Sequence, residues 1–323
     1  MKNILMLDTS IGSDNKGDDI IMECTRKELS FILKDNFEYT LPTHVSPFHW
    51  YQVWRNSLRI RSYTNCSLKF VGGTNILAKN MLTHYPQWNI NLFNCSPLSG
   101  SILIGVGAGA GEQSNIYTRK LYRKILSHDF YHSVRDERTK QYVEKDLGLK
   151  AINTGCVTMW LFTPDFCKTI PTKKSNKVVF TITAGKKLIE QDKFLIDTLC
   201  SLYKDVYFWP QGMDDYNYLK QLCNNNEIHI IQASKQAYDE FLSNNDTDYV
   251  GTRLHGGIYA MRHKKRAIII AIDERAREIH KVNNLNCIDI DRVTDLSQFI
   301  KSNISTCVSM DFNRINQWKA QFK

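Results

Sequence analysis

Ala267-Ile268-Ile269-Ile270-Ala271-Ile272 is an apolar run with no polar face, set between Arg262-His263-Lys264-Lys265-Arg266 and Asp273-Glu274-Arg275. A strand with one wet face alternates in polarity, whereas an unbroken β-branched run needs cover on both faces. A parallel sheet sandwiched by helices supplies that cover, so the run belongs inside such a sheet. Working outward, strands are expected at Val178 to Thr183, Val206 to Trp209, Ile228 to Ile231 and Asp248 to Val250, with helical segments between them. The N-terminal half repeats the theme. Lys2 to Leu7, Leu68 to Val71, Ser101 to Val106, Tyr131 to Val134 and Lys150 to Asn153 read as strands. Helices are expected from Gly17 to Leu33, Asn115 to Ser127 and Asp136 to Lys145. Strand–helix alternation implies right-handed crossovers and parallel sheets. A polar stretch with two prolines, Thr163-Pro164 through Ile170-Pro171 to Asn176, divides the two series. The expected architecture is therefore α/β, with two Rossmann-like lobes at residues 1–165 and 175–323 and a cleft between them. Asp311 to Phe322 reads as a last helix with Phe312, Ile315 and Trp318 on one side, placed to pack back on the first lobe.

Composition narrows the function classes. The chain has 323 residues, 42% hydrophobic and 23% charged, enough to bury two cores. Lys and Arg outnumber Asp and Glu by 42 to 33, a basic excess that suits an anionic ligand or surface. The charge is not gathered into a nucleic-acid-binding module, so a nucleic-acid partner is not expected. The nine cysteines lack C-x-x-C spacing and read as buried thiols rather than a disulfide framework or a zinc site; no metal site is expected. No apolar run reaches transmembrane length, and Ile4-Leu5-Met6-Leu7 is too short for a signal-peptide core, so a cytoplasmic location is expected.

Ligands of parallel α/β sheets sit beyond the carboxyl ends of the strands, and the chemistry-bearing residues of this chain cluster there. Asn15-Lys16-Gly17-Asp18-Asp19 follows the first strand; Gly17 permits a tight turn, while Asp18 or Asp19 caps the helix or accepts from a hydroxyl. Gly72-Gly73-Thr74 ends another strand. Gly105-Val106-Gly107-Ala108-Gly109-Ala110 matches the dinucleotide fingerprint, but Gly111-Glu112-Gln113-Ser114 delays the helix that should open there. A backbone-lined ligand loop is the better account. Ser133-Val134-Arg135-Asp136-Glu137-Arg138 brings two guanidinium groups to a helix start, either for an anion or as a local Arg–Asp pair. The sharpest cluster is Gly251-Thr252-Arg253-Leu254-His255-Gly256-Gly257. Arg253 there would hold an anion, and His255 could move a proton near neutral pH. Trp50, Tyr51, Trp54, Arg55, Arg59 and Arg61 mix aromatics with cations, as core cover or as a contact for anionic lipid or a lipid-linked diphosphate. Arg262 to Arg266 reads most simply as a helix C-terminus meeting its dipole.

The order Asn15-x-Gly17-Asp18, Gly72-Gly73-Thr74, Gly105-x-Gly107, Ser133-x-Arg135-Asp136, Gly155-Cys156, Gly251-Thr252-Arg253-Leu254-His255-Gly256 and Asp273-x-Arg275 resembles the polysaccharide pyruvyl transferase family over about Lys2 to Ile279. The resemblance implies a GT-B-like pair of lobes and transfer of pyruvate from phosphoenolpyruvate onto two hydroxyls of one sugar. It implies His255, Arg135 and Arg275 as the catalytic set. Arg253, Leu254, Arg138, Gly251 and Asp273 would bind phosphoenolpyruvate on the C-terminal lobe. Asn15, Gly17, Asp18, Gly73, Thr74 and Gly107 would bind the acceptor on the N-terminal lobe. Phosphoenolpyruvate would be the donor substrate and no cofactor is implied. The acceptor would be a sugar of a bacterial surface polysaccharide, free or lipid-diphosphate-linked, with peripheral contact at the inner face of the cell membrane. The family commonly has Lys where Arg275 stands, Arg after the strand that here runs into Ala184-Gly185-Lys186, and Pro where Val157 follows Cys156. Two other classes fit the same strand ends: a GT-B glycosyltransferase using a nucleotide sugar, and a catalytically silent anion-binding protein.

Overall fold

In the computed structural model the described residues are 1–83, 87–109, 114–223 and 227–323, without the side chain of Arg275. The chain forms two compact units. Unit 1 comprises Met1–Ser13, Ile21–Trp160 and Asp311–Lys323; unit 2 comprises Asp14–Ile20 and Leu161–Met310. The passage between them thus falls at Trp160, ahead of the proline-rich stretch, and a short N-terminal segment joins unit 2. No helix among the described residues is long and apolar enough to cross a membrane.

Unit 1 contains a four-stranded parallel sheet in the order β2-β1-β3-β4, made of β1 (Asn3–Asp8), β2 (Phe37–Pro42), β3 (Leu68–Val71) and β4 (Ser101–Leu103). β5 (His132–Val134) and β6 (Ala151–Asn153) form a separate parallel pair. The sequence predicts one strand from Ser101 to Val106, but Gly105 adopts φ +59 and breaks the ladder after Leu103. Pairing toward β5 resumes only at the Val106–Val134 bridge. Side chains fill the gap: the Ser133 hydroxyl accepts from Gly105 N–H at 2.8 Å, and His132 Nδ1 accepts from Leu103 N–H at 3.2 Å. The helix Phe312–Ala320 buries Ile315 and Trp318 in this unit, with the Trp318 indole N–H donating to Tyr131 O at 2.7 Å.

His132 makes a testable contribution to stability. Its ring is fully buried and its Nε2 faces Ser127 O at 3.0 Å, so the neutral Nε2–H form satisfies both contacts. Burial pulls its pKa down to about 4. The unfolded ring takes a proton near pH 6.5 while the folded ring does not until about pH 4. The stabilisation is therefore complete above the higher value and lost as pH falls through that window, by about 3 kcal/mol. Urea unfolding of unit 1 between pH 7 and pH 4 should show this loss, and His132→Gln should flatten it. Equal slopes in the two proteins would refute the assignment.

Unit 2 holds β7 (Lys177–Thr181), β8 (Asp205–Phe208), β9 (Ile228–Ile230), β10 (Asp248–Gly251), β11 (Ala267–Ala271) and β12 (Cys287–Asp289) in one parallel sheet, ordered β12-β11-β10-β7-β8-β9. The apolar run that opened the sequence reading is β11, buried throughout and paired on both sides. Read from β9, the order is that of a dinucleotide-fold sheet, with the reversal between β7 and β10. β2 and β12 are edge strands that the sequence reading missed. Arg266 corrects another expectation. It lies beyond the helix end at Arg262 and is buried, bonding Asp248 at 2.7 Å and the carbonyls of Ile300 and Ser302 at the C-terminal end of another helix, Leu296–Lys301, rather than meeting the dipole of its own helix. Burial pushes the Asp248 carboxyl up, with Tyr203 and Arg266 opposing the shift.

Candidate active site

At the reversal between β7 and β10, crossover helices leave on opposite faces and open the sheet's carboxyl edge. Residues 181–186 leave β7 there and residues 252–257 leave β10. The two exits are tied together. Thr252 N–H donates to Thr181 O at 3.1 Å, Arg253 N–H donates to Thr181 Oγ1 at 3.2 Å, and Thr183 and Thr252 share a hydroxyl contact at 2.8 Å. The Tyr249 hydroxyl donates to Arg253 O at 2.7 Å, and burial pushes its pKa up. Arg253 is the extended residue preceding the helix Leu254–Arg262, whose first turn has no side-chain cap.

Asp215 fixes the Arg253 side chain. This fully buried carboxylate takes Arg253 Nε at 3.0 Å and Nη2 at 2.5 Å. It also accepts from Gly212 N–H at 2.7 Å and Ala184 N–H at 3.0 Å. A Cβ on Gly212 would overlap the guanidinium. The fork is thus clamped on one edge, while its remaining donors lie outside the pair with Asp215.

His255 sits in the first turn of the same helix and is 6% exposed. Gln211, buried at the end of β8, reaches the same helix start: a Cβ on Gly256 would come within 2.9 Å of its Oε1. That Oε1 has no hydrogen-bond partner. Its Nε2 donates to Asn15 Oδ1 at 2.9 Å, and its carbonyl accepts from Lys16 N–H at 2.8 Å. An Asn15–Gly212 bridge continues the contact. Asn15, Gly17 and Asp18 therefore belong to unit 2, beside the Arg253–His255 turn, and not to the N-terminal lobe where the sequence reading placed them. The physical cause is backbone pairing with residues 211–213. Gly17 keeps room for these amides, since a Cβ there would sit 2.8 Å from Gln211 Nε2 and press on it.

Three expected donor-site residues also have structural work. Leu254 is buried, leaving only its main chain to meet a ligand. Gly251 is closed against Thr181, whose main chain a Cβ would meet at 2.7 Å. Asp273 Oδ1 caps the helix Glu274–Asn283 by accepting from Ala276 N–H at 2.8 Å. Ala184 follows Thr183, and Lys186, two residues further on, donates to Ile272 O just past β11. Arg275 lies in the first turn of the Asp273-capped helix; its side chain is outside the described residues.

Unit 1 gathers a second cluster. The two glycine loops pair with each other: Gly107 N–H donates to Thr74 O at 2.8 Å and Gly109 N–H to Leu77 O at 2.9 Å. Gly73 lets these backbones meet, since its Cβ would lie 2.5 Å from Gly105 O. Arg135 lies across Gly107, donating to Asn75 Oδ1 and lying 3.4 Å from Asp136 Oδ2. Asp136 caps the following short helix through Thr139 N–H at 2.7 Å. The local Arg–Asp contact and the helix cap are therefore both present, and Arg135 also crosses the Gly107 loop. Arg138 is exposed on that helix. Among the described residues the next helix starts at Ile116; residues 110–113, which include the last position of the fingerprint, lie outside the described residues. Thr9 Oγ1, buried just past β1, has no hydrogen-bond partner.

Sequence reasoning missed Asp215, Gln211 and Thr9. Pro210-Gln211-Gly212 directly follows a predicted strand, so the strand-end rule would have flagged Gln211. Asp215 had no such signal, since an acid at the start of a helix reads as a dipole partner. Among the described residues no group of three or more His, Cys, Asp or Glu is placed to hold a metal ion.

Comparison with known proteins gives the fold and the family. The S. aureus MnaA–UDP co-structure aligns with a TM-score of 0.54 at 8% identity, covering 100% of this chain and 97% of that one. At that identity the likeness shows a shared, GT-B-like fold and nothing of ligand. A UDP-GlcNAc 2-epimerase from Neisseria meningitidis bound to UDP-GlcNAc aligns with a TM-score of 0.47 at 12% identity, over 94% of each chain. No curated protein sequence matches the chain. The sequence model for polysaccharide pyruvyl transferase matches residues 15–274, spanning both the Asn15–Asp18 turn and the Arg253–His255 turn. The chain belongs to the polysaccharide pyruvyl transferase family, a family of transferases.

Proposed function

We propose that this chain transfers the pyruvyl group of phosphoenolpyruvate to two hydroxyls of one sugar, giving a cyclic ketal and inorganic phosphate. The observation that carries this reading is the uncapped helix start at Leu254, preceded by Arg253 and followed by His255, at the strand-order reversal. A donor bearing phosphate and carboxylate calls for fixed cations close to a helix N-terminus. The clamp by Asp215 orients the Arg253 guanidinium before substrate arrives, so the ordering cost is already met.

The chemistry closes as follows. C3 of the enol accepts a proton, which makes C2 electrophilic. One sugar hydroxyl adds to C2 and loses its proton; the second hydroxyl displaces phosphate, which departs with the other proton. His255 is the proton-transfer group, as base toward the hydroxyl or acid toward C3. Arg253 and Arg275 supply positive charge to the donor and leaving phosphate. Asn15 and Asp18, on the same unit, supply hydrogen-bonding groups for the sugar. No cofactor takes part in this scheme, and the acceptor is free or lipid-diphosphate-linked.

Incubation with phosphoenolpyruvate and candidate acceptors tests the reading. Phosphate release that requires both, with a pyruvyl adduct on the sugar by mass spectrometry, is the expected result. Turnover of UDP-sugars with no response to phosphoenolpyruvate would replace it with glycosyl transfer.

A further inference from the structure

The aromatic–basic stretch after β2 is not core cover. Two short helices, Trp50–Arg55 and Leu58–Thr64, follow one another there. The first buries none of its residues: Trp50 is 64% exposed and Trp54 80%, while Leu58, the first residue of the second helix, is 81% exposed. Trp50, Tyr51, Trp54 and Arg55 follow i, i+1, i+4, i+5 spacing, which places them along one side of the helix. Only Val53 turns inward against the core of unit 1. Exposing two indoles and a leucine within nine residues is costly in water and needs a covering surface.

Charge identifies the cover. The sequence has no Asp or Glu between Glu38 and Glu112, and Arg55, Arg59 and Arg61 form no ion pair among the described residues. Arg55 and Arg59, with Gln52 and Ser57, line a cleft of about 440 Å³ beside the indoles. Lys69, by contrast, is buried and turned to the carbonyls of Thr64 and Ser99 at 3.0 and 2.7 Å. An acidic protein partner would meet the arginines but leave the tryptophans no reason to project. Indoles with a polar N–H on an apolar body, beside guanidinium groups that have no carboxylate partner (Arg61 Nε donates to Asn56 O at 2.9 Å), match the headgroup layer of an anionic bilayer.

We propose that the segment from Trp50 to Arg61 docks unit 1 on an anionic membrane surface, with Trp50, Trp54 and Leu58 inserted at headgroup depth and Arg55, Arg59 and Arg61 on lipid phosphates. The proposal is independent of the donor chemistry, because docking requires neither substrate.

The full chain should cosediment with phosphatidylglycerol–phosphatidylcholine vesicles and not with phosphatidylcholine alone, and the tryptophan emission should shift to the blue. Trp50→Ala/Trp54→Ala should weaken binding at least about tenfold. Arg55→Gln/Arg59→Gln/Arg61→Gln should weaken it on the order of 100-fold at low salt. All five positions are exposed, so an unchanged melting temperature will confirm that the variants fold. Absence of vesicle binding by the parent chain overturns the proposal, as does binding that ignores the tryptophans. Self-association abolished by Trp54→Ala, without vesicle binding, would overturn it in favour of a second copy of the chain.

Discussion

Asp215→Ala should destabilise unit 2 by about 3–5 kcal/mol, because it strands a guanidinium that two of the carboxylate's four bonds now hold. Two main-chain donors, of Gly212 and Ala184, lose their acceptor at the same time. The double variant Asp215→Ala/Arg253→Ala should cost less than the sum of the two single changes, since it leaves no uncompensated charge. Trp209 is the sole tryptophan of unit 2 and stacks on Tyr238 with ring centroids 3.9 Å apart, so its fluorescence reports the transition. Strictly additive costs would mean that the pair is not coupled and that Arg253 needs no clamp.

Under the proposed chemistry, His255→Ala should lower kcat by roughly 10²–10⁴, the usual contribution of a general acid–base group. KM for phosphoenolpyruvate should move little, because the guanidinium of Arg253 and the helix N–H groups remain. Arg253→Gln should act in the opposite sense and raise KM strongly, by loss of a charge-assisted contact. A His255→Ala protein with full turnover would remove the imidazole from the mechanism and leave the site as an anion-binding turn. The ring is largely buried, so the measurement pairs kcat with a thermal melt to separate lost chemistry from lost folding.

The strands clearest in the sequence were those built on an unbroken apolar stretch, such as Val178-Val179-Phe180 of β7 and all of β11. Their burial on both faces is written into the residue types themselves. Sequence reading missed β2, whose Phe37-Glu38-Tyr39-Thr40 is mixed because an edge strand is only half covered. The helix expected from Gly17 to Leu33 ends at Glu28 and resumes as a single turn at Ser30. The one from Asp136 to Lys145 changes to a π-helical turn at Tyr142. In each case local spacing is helical and tertiary packing sets where the regular hydrogen bonds stop.

The Arg253–His255 turn was legible because glycines, an arginine and a histidine crowd one strand end. The family order of motifs was legible for the same reason. Which of these motifs adjoin was not. Neither that Asn15 pairs with residues 211–213 nor that Asp215 grips Arg253 can be read from spacing, because both contacts join segments brought together by sheet order. Residue types determined the α/β class, the parallel sheets and the kinds of chemistry at the strand ends. Only the folded chain decided the strand order, the neighbours of each loop and the exposure of Trp50 and Trp54. Hydrophobic pattern and turn chemistry act over a few residues, whereas adjacency is settled by how whole sheets close.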